Sequence, residues 1–575
     1  MPFTPAIPEQ RLVLDTVVRI GDLAATERFA AASDDVVDAV LEGAGAFAAG
    51  EWAPLARIGD TVGAKWTPDG VVMPEGYSQA YRDYVEGGWG TIGVPEEFGG
   101  QGLPFVIQTA VLETLGTANM GFALCPTLTV GAIEALQHHG SAEQQAAYLP
   151  HLATGAWTGT MNLTEPQAGS DVGALRTIAT PLGDGRWSIK GTKIYISFGD
   201  HDMAENIVHL VLARTPDAPA GTRGISLFLV PKYRLDADGR PGAANDVRVV
   251  SIEHKMGLHA SPTCVLSFGD ADDCIGELIG AEHGGMRAMF TMMNNARLNV
   301  GLQGVQVAEG ATQAAVAYAL DRVQSARTGS PSREPVRIIE HPDVRRMLIR
   351  MKAQTQAARA LVYYAAGQVD RATLGDAGAK NRLELVTPLA KAHATDIGNE
   401  VASIGIQVHG GMGYVEETGA AQFFRDARIT PIYEGTNGIQ AADLVGRKLS
   451  LGHNEEGGGA FATLVADIRA EARDARVLAL VDACERIGRR LATADADDKL
   501  AASYPFLTML SVATCAWLME REGASVTGDG DFAAMKRACV RFYLEQIVPE
   551  ALGLEAAATA DASVLYAVGA QAFAA

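Results

Sequence analysis

Two changes of texture along the chain restrict what it can fold into. Apolar residues recur at helical spacing up to about residue 155. A β-rich block then runs from Leu163 to about Phe268, and helical spacing returns from Gly284 onward. In the first stretch, Asp34 to Phe47 carries Val36, Val37, Val40 and Leu41 on one helical face. Val106, Ile107, Ala110 and Val111 do the same between Val106 and Leu115. The middle block holds short runs at Trp187 to Ile196, Ile207 to Ala213, Gly224 to Val230 and Cys264 to Phe268. Turn chemistry such as Leu182-Gly183-Asp184-Gly185 separates them. Beyond Gly284 come long periodic segments at about 285–326, 341–373, 384–408 and 437–448, which bury apolar stripes on one another as in an antiparallel bundle. Glu455-Glu456-Gly457-Gly458-Gly459 reads as a flexible joint, followed by an Ala-rich helical block to Ala575. The expected fold class is α+β: an N-terminal helical domain (1–160), a central β-barrel-like domain (161–280), a C-terminal four-helix bundle (281–453) and an added helical domain (460–575).

A chain of 575 residues, 48% of them hydrophobic, is too long for one core and long enough for three or four. The formal charge of −21 and pI near 5.0 argue against a nucleic-acid partner and against an anionic membrane surface. A polyanionic ligand must then be met by locally placed Arg or backbone N–H groups. Cys125, Cys264, Cys274, Cys484, Cys515 and Cys539 form no CxxC pair and no Cys/His cluster, so reduced buried thiols in a cytoplasmic setting are expected. The start Met1-Pro2-Phe3-Thr4-Pro5 lacks a basic and an apolar leader region. Aliphatic runs such as Ile207 to Ala213 are shorter than the ~20 residues of a membrane span.

Three segments carry polar residues that a fold alone does not demand. Asn162-Leu163-Thr164-Glu165-Pro166-Gln167-Ala168-Gly169-Ser170-Asp171 offers hydroxyls and N–H groups in a tight turn, suited to phosphate or a heteroaromatic edge, though an ordinary loop reads the same way. Lys190-Gly191-Thr192-Lys193-Ile194-Tyr195-Ile196-Ser197-Phe198-Gly199 alternates like a strand. It would turn Tyr195 and Ser197 to one side, one to stack on a flat ring and one to donate a hydrogen bond; a plain exposed strand face is the alternative. Arg425-Asp426-Ala427-Arg428 leads to Pro431-Ile432-Tyr433-Glu434-Gly435-Thr436-Asn437-Gly438 between two helices. A carboxylate in such an apolar corner titrates high, as a base working near neutral pH requires; a dipole-favoured helix N-terminal acid is the simpler reading. Upstream, Gln407-Val408-His409-Gly410-Gly411-Met412-Gly413 ends a helix on glycines that let a ligand approach the backbone.

Taken in this order, and with Gly93-Val94-Pro95-Glu96-Glu97-Phe98-Gly99-Gly100-Gln101-Gly102, these segments resemble the acyl-CoA dehydrogenase family from about Tyr84 to Lys448. The resemblance implies FAD as cofactor. Leu163 and Thr164 would hold the pyrimidine edge of the flavin, Ser197 would bond N5, and Tyr195 would cover the ring where relatives carry Trp. Ser170 would lie near the CoA or flavin diphosphate, serving both ligands. Arg322 and Gln324 would reach the FAD of a neighbouring subunit, Gln407, Gly410 and Gly411 would meet the partner's flavin, and Thr436, Asn437 and Gly438 would hold the adenosine end. A homo-oligomer, at least a dimer, follows. Glu434 matches the base that takes the α proton as hydride leaves the β carbon for flavin N5. The position that serves this role in some relatives is Ala296 here. Asn294 and Arg297 match CoA-contacting positions, with Tyr433 and Gly435 beside the substrate.

Phe198-Gly199-Asp200-His201-Asp202-Met203-Ala204-Glu205-Asn206, Glu253 to Thr263 and Met289-Phe290-Thr291-Met292-Met293-Asn294 resemble a longer bacterial subgroup with an added C-terminal helical domain. That subgroup includes 3-methylmercaptopropionyl-CoA dehydrogenases and long fatty acyl-CoA dehydrogenases. It implies dehydrogenation of an acyl-CoA to the trans-2-enoyl-CoA, with electrons passed to electron-transfer flavoprotein. An acyl-CoA oxidase and a catalytically silent acyl-CoA-binding protein are the alternatives. Gly43 to Gly50 follows a helix and no strand, so it is no dinucleotide fingerprint; His138-His139 lacks a third ligand, and no metal is expected.

Overall fold

The computed structural model describes residues 3–452 and 459–575, without the side chains of Thr291 and Asn294. Except for Gly459, the joint read at Glu455-Glu456-Gly457-Gly458-Gly459 lies outside the described residues. The chain divides into two compact units, Val40–Ala296 and Met1–Ala39 with Arg297–Ala575.

In the Val40–Ala296 unit, α1 (Phe105–His139) and α2 (Ala142–Thr154) precede the sheet. Its strands are β1 (Trp157–Asn162), β2 (Ile178–Pro181), β3 (Arg186–Ser197), β4 (Asn206–Arg214), β5 (Ile225–Pro231), β6 (Val247–Ile252), β7 (Thr263–Phe268) and β8 (Ile275–Ile279). They lie in the order β6-β7-β3-β8-β5-β4-β1, and β2 bridges β3 and β4, so β3 bends between two sets of neighbours and gives the barrel-like form. β4 and β5 are buried along nearly their whole length, which explains their uninterrupted apolar runs; β1 joins β4 in parallel. The edge strand β6 and the short β1, β2 and β8 escape periodicity because each is only four to six residues long.

β3 does not alternate to its end. Opposite Cys264 and Leu266 the register jumps from Ile196 to Lys193, a bulge, and Tyr195 takes a left-handed φ of 61°. Lys193 and Ile196 face inward, while Tyr195 remains 60% exposed and Ser197 half-buried. The bulge, rather than regular pleating, turns Tyr195 outward.

The other unit is helical: α3 (Gly285–Asp321, from Arg297 onward), α4 (Pro342–Thr373), α5 (Ala377–His409), α6 (Ala420–Ala427) and α7 (Asn437–Gly446). The extension adds α8 (Ala460–Glu471), α9 (Ala475–Thr493), α10 (Ala496–Ser525) and α11 (Asp531–Phe542). α3 and α5 meet backbone to backbone: a Cβ on Gly304 would stand 2.1 Å from the Ala394 carbonyl oxygen. Gly304→Ala is therefore expected to destabilise by about 1–3 kcal/mol through overpacking, measured by denaturant unfolding. The first 39 residues, read from sequence with the N-terminal helical domain, pack on this unit instead: Gln10 Nε2 donates to the Tyr363 hydroxyl at 3.3 Å, and Lys536 pairs with Glu9 at 2.6 Å.

α1 and α10 are long and apolar enough by composition to cross a membrane, contrary to the short runs read from sequence. The apolar window of each is 83% buried within the protein, so both serve as core helices. All six cysteines are free and buried.

Candidate active site

In the helical unit the sequence folds Glu434 onto a loop between α6 and α7 that a bond across the loop and the cap of α7 hold in place. The Asn437 N–H donates to the Pro431 carbonyl at 2.9 Å, and Thr436 Oγ1 caps α7 by accepting from Ile439 N–H at 3.1 Å. Glu434 holds a left-handed φ of 54°, costly for a side chain with a Cβ. Gly435 follows at φ 83°, and a Cβ there would meet Gln440 Nε2 at 2.8 Å, so glycine is required. Two adjacent residues in this region, one of them a carboxylate, mark a strained turn of the kind found at reactive sites.

Desolvation pushes the Glu434 carboxyl up to about 7, against the opposing pull of Arg297 and Lys391. Arg297 on α3 is buried, with Nε unpartnered, and burial lowers its guanidinium while Asp443 and Glu434 hold it up. Burial brings Lys391 on α5 down to about 8, with Glu434 and Asp396 opposing. Tyr433 donates its hydroxyl to Gln303 Oε1, fixing the ring beside the carboxylate. The arrangement is a carboxyl poised to exchange a proton near neutral pH, with two cations close enough to steady its charge.

Asn437 turns its side chain into the fold. It is buried, and its carboxamide is committed to α5: Nδ2 donates to the Ala392 carbonyl (3.1 Å), Thr395 Oγ1 (3.0 Å) and Asp396 Oδ1 (2.9 Å), while Oδ1 accepts from Lys391 Nζ (2.9 Å). Its side chain holds the loop onto α5. Gly438 is exposed. Arg322 and Gln324 are exposed and bonded to each other at 3.0 Å. Gln407, Gly410 and Gly411 are exposed at the end of α5, and nothing lies within 4 Å of a Cβ built on either glycine. The side chain of Asn294 lies outside the described residues.

In the sheet unit, Leu163, Thr164 and Glu165 follow β1 directly. Glu165 and Ala168 exchange backbone bonds of 3.1 and 2.9 Å around the Pro166-Gln167 turn. Beneath the turn lies a buried ion pair absent from the sequence reading. Lys193 Nζ reaches Glu165 Oε1 at 2.8 Å and the Leu163 carbonyl at 3.1 Å, and the same carboxylate accepts from Arg176 N–H (2.6 Å) and Thr177 N–H (3.0 Å). Burial alone would raise Glu165, but Lys193 and these donors bring it down to about 2. Thr164 accepts Ile194 N–H on its carbonyl at 2.9 Å, which ties the turn to the bulged end of β3. Leu163, Thr164, Tyr195 and Ser197 are thus on one braced piece, while Ser170 is exposed on the loop beyond it.

The missed residues are Lys391, Asp396, Gln303, Gln440, Lys193 and Thr177. Lys391 and Asp396 left one signal, charged residues inside the apolar helical run Leu385 to Ala394 and its end.

Comparison with known proteins accounts for the whole order of parts. The acyl-CoA dehydrogenase N-terminal, middle and C-terminal domain profiles match residues 37–156, 160–271 and 283–449, and "Acetyl-CoA dehydrogenase C-terminal like" matches 459–568. The chain is similar to a 3-methylmercaptopropionyl-CoA dehydrogenase of Ruegeria pomeroyi, 46% identical over 90% of this chain and 91% of that one. It is 37% identical to a butyryl-CoA dehydrogenase of Syntrophomonas wolfei, over 89% of each. The fold matches Caenorhabditis elegans ACDH-11, solved in complex with C11-CoA, with a TM-score of 0.75, 20% identity and coverage of 94% of this chain and 90% of that one. With N-terminal, middle and C-terminal domains in order and an added helical domain after them, the chain belongs to the acyl-CoA dehydrogenase family of flavoprotein oxidoreductases.

Proposed function

We propose that the protein dehydrogenates a short acyl-CoA, 3-methylmercaptopropionyl-CoA or a thioester of similar length, with Glu434 as the base. The observation that carries this reading is Glu434 itself, raised to about 7 on a strained loop between two cations. A thioester α-hydrogen is weakly acidic, so a base matched to neutral pH removes it best. The carboxylate takes the proton from the α carbon, while Arg297 and Lys391 stabilise the site's negative charge. The 46% identity to a 3-methylmercaptopropionyl-CoA dehydrogenase favours that substrate over a long fatty chain.

The residues present fit FAD. An aromatic ring turned outward by a bulge shares one braced turn and strand with Thr164 and Ser197, and Gly410 and Gly411 leave open space where a side chain would stand. Bound flavin supplies the hydride acceptor for the β-carbon hydrogen. Leu163, Thr164, Tyr195 and Ser197 would hold its ring, with Ser170 near a diphosphate and Arg322, Gln324, Gln407, Gly410 and Gly411 meeting the cofactor of a second copy in a homodimer. Arg297, Tyr433 and Gly435 would line the substrate side, Thr436 and Gly438 the adenosine end. Electrons pass to electron-transfer flavoprotein in this reading.

The test is anaerobic absorbance of the flavin-loaded protein mixed with 3-methylmercaptopropionyl-, butyryl-, octanoyl- and palmitoyl-CoA. Bleaching fastest with the first, with the enoyl-CoA as product, is expected. Fastest bleaching by palmitoyl-CoA contradicts the substrate assignment. Steady peroxide production in air would make the protein an oxidase, and a flavin bleached by none would make it a silent binder.

A further inference from the structure

Four side chains from three helices form one continuous hydrogen-bonded chain that ends at the Glu434 loop. It begins in the C-terminal extension. The Tyr504 hydroxyl on α10 donates to Asp396 Oδ2 at 2.7 Å; Asp396 Oδ1 accepts Asn437 Nδ2 at 2.9 Å; Asn437 Oδ1 accepts Lys391 Nζ at 2.9 Å. Asn437 opens α7 three residues after Glu434, so the chain clamps the loop onto α5. Lys391 is fully buried. Burying an ammonium is costly, and an apolar side chain of the same length would fill the space without that cost. The bonds of Asn437 to Ala392, Thr395 and Asp396 already hold the loop, so a packing role leaves the charge unexplained.

We propose that Lys391 is a positioning residue for the base, its ammonium favouring the ionised carboxylate, and that the extension holds it in place through Tyr504, Asp396 and Asn437. The inference rests on the reading of Glu434 as the base. The charged and titratable groups around this chain are Glu434, Tyr433 and Arg428 from the α6–α7 segment, Arg297 from α3, Asp396 from α5, Asp443 from α7 and Arg447 just after it, and Tyr504 from α10. Arg297 and Lys391 oppose the effect of burial on Glu434, and removal of one leaves the other. Without Lys391 the base stays protonated to a higher pH. Without the Tyr504 hydroxyl, Asp396 can turn onto Lys391 itself, drawing the ammonium off Asn437 and offsetting it. Both changes act in the same direction.

The test is the pH profile of kcat/KM for the best thioester, in the flavin-loaded full chain. Lys391→Met is expected to move the acidic limb up by about one pH unit, with a loss of about tenfold at pH 6 that shrinks toward pH 9. Tyr504→Phe, at a 38%-exposed site where no cavity opens, should move the limb the same way by less and add nothing in the Lys391→Met background. A limb unmoved in Lys391→Met overturns the proposal. Equal effects of Tyr504→Phe with and without Lys391 overturn the role of the extension. If Lys391→Met loses its fold by thermal melting, Tyr504→Phe decides alone, an unmoved limb being the contrary result. Glu434→Gln runs beside them. If it turns over normally, the base assignment fails; if it is dead while Lys391→Met is unshifted, only the present inference fails.

Discussion

Glu434→Gln is expected to lower kcat by about a thousandfold, within the range that a positioned proton-transfer group contributes, while the protein stays folded and loaded with flavin. The amide is nearly the same shape and cannot take a proton. Its effect on stability should run the other way. Burial raises the Glu434 carboxyl from 4.5 to about 7. A folded-state value above the unfolded one means that folding favours the protonated form. The associated stability is fully present below the unfolded value and is lost as pH rises through about 7. A neutral glutamine avoids that loss, so at pH 8 the variant should unfold at a temperature no lower than the parent. Loss of activity together with loss of the fold would show instead that the residue is needed for the loop. For the parent enzyme the same value predicts kcat/KM rising with pH through about 7, since only the ionised form takes the proton.

Glu165→Ala should produce the largest loss of stability, about 3–5 kcal/mol by denaturant unfolding, because it leaves a buried ammonium without its anion. Lys193 is fully buried, and only the Leu163 carbonyl would remain to it. Lys193→Met should cost less. The Glu165 carboxylate would keep the Arg176 and Thr177 N–H groups and the Thr177 hydroxyl, which donates at 2.5 Å. The pair also sets a pH window. Because Glu165 is depressed from 4.5 to about 2, its contribution is present above the unfolded value and is lost as pH falls toward 2. Since the turn bearing Leu163 and Thr164 sits on this pair, Glu165→Ala should also release flavin more readily than the parent. Flavin fluorescence in the filtrate measures that. Equal stability of Glu165→Ala and the parent would show that the pair is not what braces the turn.

Local signals carried most of the fold. The helices at Pro342–Thr373 and Ala377–His409 are long and strongly periodic, so their existence was legible; only the start of the second moved, from about 384 to Ala377. Strands β4 and β5 showed as buried apolar runs. What could not be read depends on partners distant in sequence. The bulge at Tyr195 is set by pairing with Cys264 and Leu266 across nearly seventy positions of chain. The packing of residues before Val40 on the helical unit rests on contacts with Tyr363 and Lys536. At the site, Glu434 stood out because its loop chemistry is local. Lys391 did not, since a lysine within a helix usually marks a solvated face, and only the fold shows it buried against Asn437. The partners of Asn437 were hidden for the same reason: sequence gives its place in the loop, not the helix that its carboxamide meets.

The most direct test of the central claim is the rate of anaerobic flavin reduction by the preferred acyl-CoA in a single turnover, from pH 5 to 9, for the parent and Glu434→Gln. A parent rate that rises through about pH 7, with the variant reduced about a thousandfold more slowly and without that rise despite bound thioester, is the predicted result. A variant reduced at the parent rate, or a parent limb near the ordinary carboxylate value of about 4.3, would contradict Glu434 as a burial-tuned base.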